Sequence, residues 1–150
     1  MYVDFDSECL KSHEKLLSNK ECCFSIEPKE HGLKFNKPLY FNNAFMATVP
    51  EHPFIKQLIL KAFDYSPNNR EYNKIMETLT TTGPLMIVDL YEKYDNKKNI
   101  TLIESKYVSP LTDNEVRRVM RGEESDELEE KIKDAYSIHY FFNTWVGNKE

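Results

Sequence analysis

The sequence predicts an α/β layered domain, a small mixed sheet flanked by helices, on three observations. Short apolar runs such as Glu21–Ile26 and Ile100–Ile103 are bounded by polar and turn residues and have strand length. Other stretches place apolar residues at helical spacing, most clearly Phe54, Ile55, Leu58, Ile59, Ala62 and Phe63. The two kinds of segment alternate along the chain, which is the pattern of a layered α/β arrangement. At 150 residues and 17.8 kDa the chain is long enough for one domain with a core and short for two, so residues 1–150 are read as a single domain.

The first element is a strand, Tyr2–Phe5, running into Asp4-Phe5-Asp6. Successive strand side chains alternate faces, so Asp4 and Asp6 are expected to point the same way. Cys9–Leu17 carries Cys9, Leu10, Leu16 and Leu17 with Ser12 and Glu14 near a start signal, and reads as a short helix. Glu21–Ile26 is a strand, Pro28–Pro38 a polar loop holding His31-Gly32, and Leu39–Val49 a buried strand entered through an Asn42-Asn43 turn. Pro53 suits the first position of the clearest helix, which ends in Ser66-Pro67-Asn68-Asn69. A second helix, Arg70–Leu79, stops in Thr80-Thr81-Thr82-Gly83-Pro84, and Pro84 begins a third that runs to Tyr94. Ile100–Ile103 is a strand, and Tyr107–Leu111, with Ser109-Pro110, is expected to be extended. Arg117–Asp134 is so charged that it reads as a solvated helix or mobile excursion, before an aromatic tail from Tyr136 to Trp145.

Composition narrows the function classes. Hydrophobic residues are 40% and charged residues 30%, values of a soluble globular chain rather than a disordered one. Net charge is −5 with no basic stripe, which argues against a nucleic-acid surface. Cys9, Cys22 and Cys23 lack C-x-x-C spacing, and the vicinal pair would face opposite sides of a strand, which disfavours zinc and suggests reduced thiols in a cytosol-like compartment or on the cytosolic side of a membrane system. No apolar stretch approaches the roughly 18 residues of a membrane span, and the first residues do not resemble a signal peptide.

Two adjacent carboxylates repel unless something neutralises them, and hard oxygen ligands suit Mg²⁺ or Mn²⁺. A pair of this kind closing an apolar strand also lies where open α/β sheets place ligands. The ordinary alternative is a solvated acidic pair. His139, in Ser137-Ile138-His139-Tyr140-Phe141, is either a core histidine or the imidazole that completes a carboxylate site. Trp145 is core, or offers its indole N–H to a phosphate or sugar oxygen. Thr82-Gly83-Pro84 is either a helix–helix turn or a source of backbone N–H groups at a helix start. Asn43 is a turn residue or a polar group aimed into a cleft. His13, His31 and His52 have no acidic partner at metal-ligand spacing and are read as surface residues. No Gly-rich phosphate loop and no Ser/His/Asp or Cys/His nucleophile pattern is present.

In order, these segments resemble the Asp-x-Asp sugar transferases, the group that includes the initiating α-1,6-mannosyltransferase and capsular polysaccharide enzymes (glycosyltransferase family 32). Tyr2-Val3-Asp4-Phe5-Asp6-Ser7-Glu8-Cys9-Leu10 with Leu16-Leu17 resembles its Y-x-D-x-D-x-E-x-L…LL segment. Asn43-Ala44-Phe45-Met46-Ala47 with Pro50-Glu51-His52-Pro53-Phe54 is similar to its N-x-h-h-A…P-x-H-P-F stretch, and Thr82-Gly83-Pro84 to its T-G-P turn. Tyr107 with Ser109-Pro110, and Ile138-His139-Tyr140 with Thr144-Trp145, resemble its last two motifs. The resemblance implies a partial GT-A-type fold whose Asp pair holds Mn²⁺ or Mg²⁺ against a nucleotide-sugar diphosphate, for retaining transfer to a glycan or other acceptor. Under it Asp6 is the better metal ligand, Asp4 contacts ribose or a metal-bound water, and His139 is a further ligand. Thr82 and Trp145 touch phosphate or sugar, and Asn43 and Gly83 line the sugar cleft. The family's N-terminal nucleotide-binding strand, Arg-containing helix and Gly-Gly have no counterpart here. A partner chain or self-association is therefore expected to cover that part.

Two other readings stand beside it. One is a non-catalytic or split-subunit module of such a transferase that acts with a partner chain. The other is a haloacid dehalogenase-like phosphatase with Asp4 as nucleophile and Asp6 as acid/base. That pattern wants Thr or Val where this chain has Glu8.

Overall fold

The structure, a computed structural model, describes residues 1–64 and 74–142. The chain starts with β1 (Tyr2–Val3) and β2 (Ser7–Cys9), then α1 (Glu14–Leu17), β3 (Cys22–Ile26), α2 (Lys29–Leu33) and β4 (Phe41–Thr48). Three helices follow, α3 (Pro53–Phe63), α4 (Lys74–Thr81 as described) and α5 (Pro84–Lys93). Then come β5 (Ile100–Ile103), α6 (Ser105–Val108), α7 (Asp113–Met120), α8 (Asp126–Ile132) and β6 (Ser137–His139). The main sheet has the order β1-β4-β3-β5, with β4 antiparallel to β1 and β3, and β5 parallel to β3. β2 and β6 form a separate antiparallel ribbon. The molecule is thus mixed α/β, with a small mixed sheet flanked by helices.

The sheet has an apolar cluster on each face. On one, Cys22 and Phe24 pack with Phe54 of α3 and Ile87 and Val88 of α5. On the other, Cys23, Phe45 and Ile103 pack with Val108, Leu16 and Leu17. The vicinal cysteines therefore do face opposite sides, as strand alternation requires. Burial of a side chain such as Phe24, Phe54 or Ile87 contributes roughly 1.5–3 kcal/mol each. Pro53 and Pro84 each occupy the first turn of their helix, where a missing N–H costs nothing.

One irregularity positions the site. Between the pairs Phe24↔Met46 and Ile26↔Phe41, β3 advances two residues while β4 advances five. The surplus is a bulge at Asn42–Phe45, and bulges re-aim side chains. Asn42 and Asn43 are neighbours in a strand, where alternation would send them to opposite faces, yet both line the same cleft. The expected Asn turn is instead a bulge inside the strand.

Other expectations are corrected. The first strand stops at Val3, and Asp4–Ser7 is a turn closed by the Ser7 amide donating to the Asp4 carbonyl (3.2 Å). The helix expected from Cys9 is only α1, because Ser7–Cys9 are taken into the ladder with β6, and the amides of Leu10 and Lys11 donate to the Tyr136 carbonyl. The loop Pro28–Pro38 contains α2, and the extended Tyr107–Leu111 begins in α6, which ends at Val108 just ahead of Ser109-Pro110. The charged stretch Arg117–Asp134 belongs to α7 and α8, mostly exposed helices as the solvated-helix reading expected, each anchored by a buried residue. Val116 and Leu128 bury one side of each helix against Leu111 and Ile138. A complete capping box, Thr112 with Glu115, starts α7, and Gly122 at φ +75° follows its end. The start expected at Arg70 lies outside the described residues.

Candidate metal centre and cleft

Asp4 and Asp6 come together through the turn, not the pleat. β1 pairs with β4 up to Val3, and the Asp4 amide extends that ladder by donating to the Ala44 carbonyl (2.9 Å). The chain then reverses into β2, whose pairing sets Ser7 opposite His139. The Tyr140 amide donates to the Asp6 carbonyl (2.8 Å), so Asp6 is held beside the end of β6. One oxygen of the Asp6 carboxylate lies 3.3 Å from His139 Nε2, and its other oxygen accepts from the Phe142 amide (2.9 Å). Asp4 accepts from the Tyr2 hydroxyl (2.7 Å), and this hydrogen bond raises the Tyr2 phenol above its ordinary value. One ligand atom each from Asp4, Asp6 and His139 lie within 4.8 Å of one another, and all three side chains are half-buried.

These residues match a divalent cation in donor type. Of three ligand atoms on a six-coordinate Mg²⁺-sized ion at most one pair sits opposite, about 4.2 Å apart, and neighbouring ligands sit about 3 Å apart, so the three side chains would have to draw closer to share one ion. One feature departs from the usual pattern. Among the described residues His139 Nδ1 is buried with no hydrogen-bond partner, whereas a ligating imidazole normally donates its second N–H. Ring packing holds the imidazole instead: Phe141 lies 4.2 Å from it, centroid to centroid, and also meets His31 edge-on at 4.8 Å.

The three residues stand at the edge of a cleft of about 850 Å³, within the range of small-molecule sites. Asn43, Thr82 and Gly83 line it, as the sequence suggested, together with the cationic Lys34 and Arg117. The backbone of Thr82-Gly83 does not offer free donors there. Both amides donate to the Thr78 carbonyl (3.2 and 2.9 Å), so this segment is first a joint between α4 and α5. Gly83 is required by close approach, since a Cβ there would come within 2.9 Å of Leu79 Cα and the Thr78 carbonyl. Trp145 lies outside the described residues.

Sequence reasoning missed the deepest polar group of the cleft. His31 and His52 are buried, not on the surface, and only His13 of the three is half-exposed. His31 Nδ1 lies 2.6 Å from one Glu27 oxygen, and the other Glu27 oxygen accepts from the Asn42 amide group (2.6 Å). The Asp113 amide donates to His31 Nε2 (3.2 Å), and the Asp113 carboxylate lies 3.4 Å from the same nitrogen. The signal available in the sequence was Glu27-Pro28-x-x-His31, an i, i+4 pair across the start of a helix. Comparison with protein-family models, with curated proteins and with solved structures finds no match to this chain.

Proposed function

We propose that the cleft is the donor site of a metal-dependent glycosyltransferase of partial GT-A-like fold, moving a sugar from a nucleotide-sugar to a glycan or other acceptor. The observation that carries this reading is the convergence of Asp4, Asp6 and His139 at the edge of a cleft large enough for a glycosyl group. The order of motifs along the chain supports it independently. A bound Mn²⁺ or Mg²⁺ would neutralise charge that builds on a departing diphosphate. Asp6 is fixed on three sides, by the Tyr140 amide, the Phe142 amide and His139, and so presents its carboxylate with little freedom. Asp4 is oriented by Tyr2 and by the β4 ladder. Lys34 and Arg117 contribute positive charge on the cleft wall toward an anionic leaving group.

The test is donor hydrolysis by the purified chain, screened over GDP-mannose, UDP-galactose and UDP-N-acetylglucosamine with and without Mn²⁺. Mn²⁺-dependent release of nucleoside diphosphate, abolished in Asp6→Ala, is expected; metal-independent release would contradict the reading.

A second reading, one subunit of a two-chain transferase, is favoured by the sheet edge at β5, which pairs only with β3 among the described residues. Such an edge accepts a strand from another chain. Under this reading the β5 amides that point away from β3 exchange quickly in the isolated chain and become protected in a complex; their protection in a monomer would remove its support.

A further inference from the structure

Burying a carboxylate is costly unless its oxygens are satisfied, and Glu27 is 7% exposed. Each carboxylate oxygen accepts at two positions. His31 and Asn42, themselves 6% and 5% exposed, fill one position on each, which leaves acceptor capacity on a side chain that lines the cleft. The same wall carries the Phe35 and Tyr40 rings, stacked 5.5 Å apart, and Phe141. A charged hydroxyl acceptor next to aromatic faces matches a pyranose ring, which has hydroxyl edges and apolar C–H faces. The group is also wired to the candidate metal centre. Asn42 Oδ1 accepts from the Ala44 amide (3.1 Å), and the Ala44 carbonyl accepts from the Asp4 amide (2.9 Å).

We infer that Glu27, locked by His31 and Asn42, is the hydroxyl-accepting residue that selects the hexose bound in this cleft. The inference rests on the proposed donor site and adds the residue that would read the sugar. His31 and Asn42 act through Glu27 as positioning residues.

Calorimetry separates this role from a structural one. The probes are uridine and guanosine diphosphates, bare and carrying a hexose, each titrated with Mn²⁺ into the full chain. Two variants are compared, Glu27→Gln and the transposed pair Glu27→Gln with Asn42→Asp. The transposition restores an amide-to-carboxylate hydrogen bond between the two positions but moves the charge from position 27 to position 42, which lines the same cleft. The wild type is expected to bind the better hexose-bearing nucleotide at least about tenfold more tightly than the bare one, the size of a lost charge-assisted hydrogen bond. Both variants are expected to lose that increment, with Mn²⁺ binding followed alongside as a check that each is folded. A Glu27→Gln variant that keeps the increment would show that Glu27 serves only the fold. A wild type that binds Mn²⁺ and bare nucleotide yet gains nothing from the hexose would overturn this inference while leaving the metal site standing. No Mn²⁺ binding by the wild type would remove both. The wild-type comparison can overturn the inference whether or not either variant folds, and the loss in Glu27→Gln assigns the increment to Glu27.

Discussion

Phe141 sits at φ +50°, in the left-handed region that costs an L-residue with a bulky side chain about 1–2 kcal/mol. Its ring lies between His139 and His31, touching the candidate metal ligand on one side and the Glu27 anchor on the other. Strain of this kind persists where the surroundings impose it, often at functional sites. The ring does what a hydrogen bond to His139 Nδ1 would otherwise do: it fixes the imidazole. Phe141→Ala is therefore expected to weaken Mn²⁺ binding roughly tenfold, the usual effect of losing an orienting neighbour. Calorimetry checks this, and an unchanged affinity would mean that His139 needs no such support. Gly32 makes a second residue-scale prediction. A Cβ there would lie 2.3 Å from the Lys37 carbonyl oxygen and 2.8 Å from Tyr40 Cβ. Gly32→Ala should destabilise by about 1–3 kcal/mol in urea unfolding, the cost of overpacking against backbone.

At the scale of elements, α7 does more than cover apolar residues. Its N-terminus carries the Asp113 amide that fixes His31, and one turn later Arg117 lines the cleft. The capping box makes that start definite, with Thr112 Oγ1 accepting from the Glu115 amide (3.3 Å) and Glu115 accepting from the Thr112 amide (2.8 Å). Burial raises the Glu115 carboxyl, but the hydrogen bonds from Lys131 and Thr112 outweigh it and leave the group below its ordinary value. Thr112→Ala is expected to cost about 1 kcal/mol in chemical unfolding. A loss much beyond that would show that the cap also holds the Asp113–His31 contact. The elements whose periodicity stands alone, such as α3, α5 and β5, were legible in the sequence because local pattern and tertiary environment agree. α7 and α8 were legible only as one solvated helix or a mobile excursion, because single buried residues, Val116 and Leu128, anchor helices that are otherwise charged. β2 was missed because its partner, β6, lies more than a hundred residues away, and nothing local marks Ser7–Cys9 as a strand. The juxtaposition of Asp4 with Asp6 was legible for the wrong reason: sequence spacing suggested a pleat, and a turn produces it. Asn42 escaped notice because the Asn42-Asn43 irregularity was read as a turn, whereas a β4 bulge brings Asn42 to the cleft, and Glu27 because its pairing with Asn42 is made only in the fold.

For the whole molecule, the two-faced sheet core sets the alkaline limit. Burial pushes the Cys22 thiol up to about 11, and Tyr140, buried and hydrogen-bonded to Glu8, up to about 12. Tyr40 is raised further by burial and by the nearby Glu27 charge. In each case the folded protein favours the neutral form. The unfolded chain releases these protons first, so stability is complete below the ordinary thiol and phenol values and falls as pH rises through the folded ones. Melting temperature should hold steady to about pH 9 and then decline through about pH 12, with Cys22→Ser shifting the onset upward. A flat profile to pH 12 would contradict the burial of these groups. The same compactness predicts how a ligand acts on the molecule. Asp4 and Asp6 precede β2, whereas His139 ends β6, so a cation held by all three ties the ribbon to the main sheet.

That link gives the most direct test. Thermal unfolding is followed with increasing Mn²⁺, in the wild type and in Asp6→Ala. A cation bound only by the folded chain adds about 2.7 kcal/mol when present at a hundred times its dissociation constant. The wild type should therefore melt several degrees higher in millimolar Mn²⁺, and Asp6→Ala should show no shift. If the wild type melts at the same temperature with or without millimolar Mn²⁺, or if Asp6→Ala rises equally, then Asp4, Asp6 and His139 hold no metal and the proposed donor site is wrong.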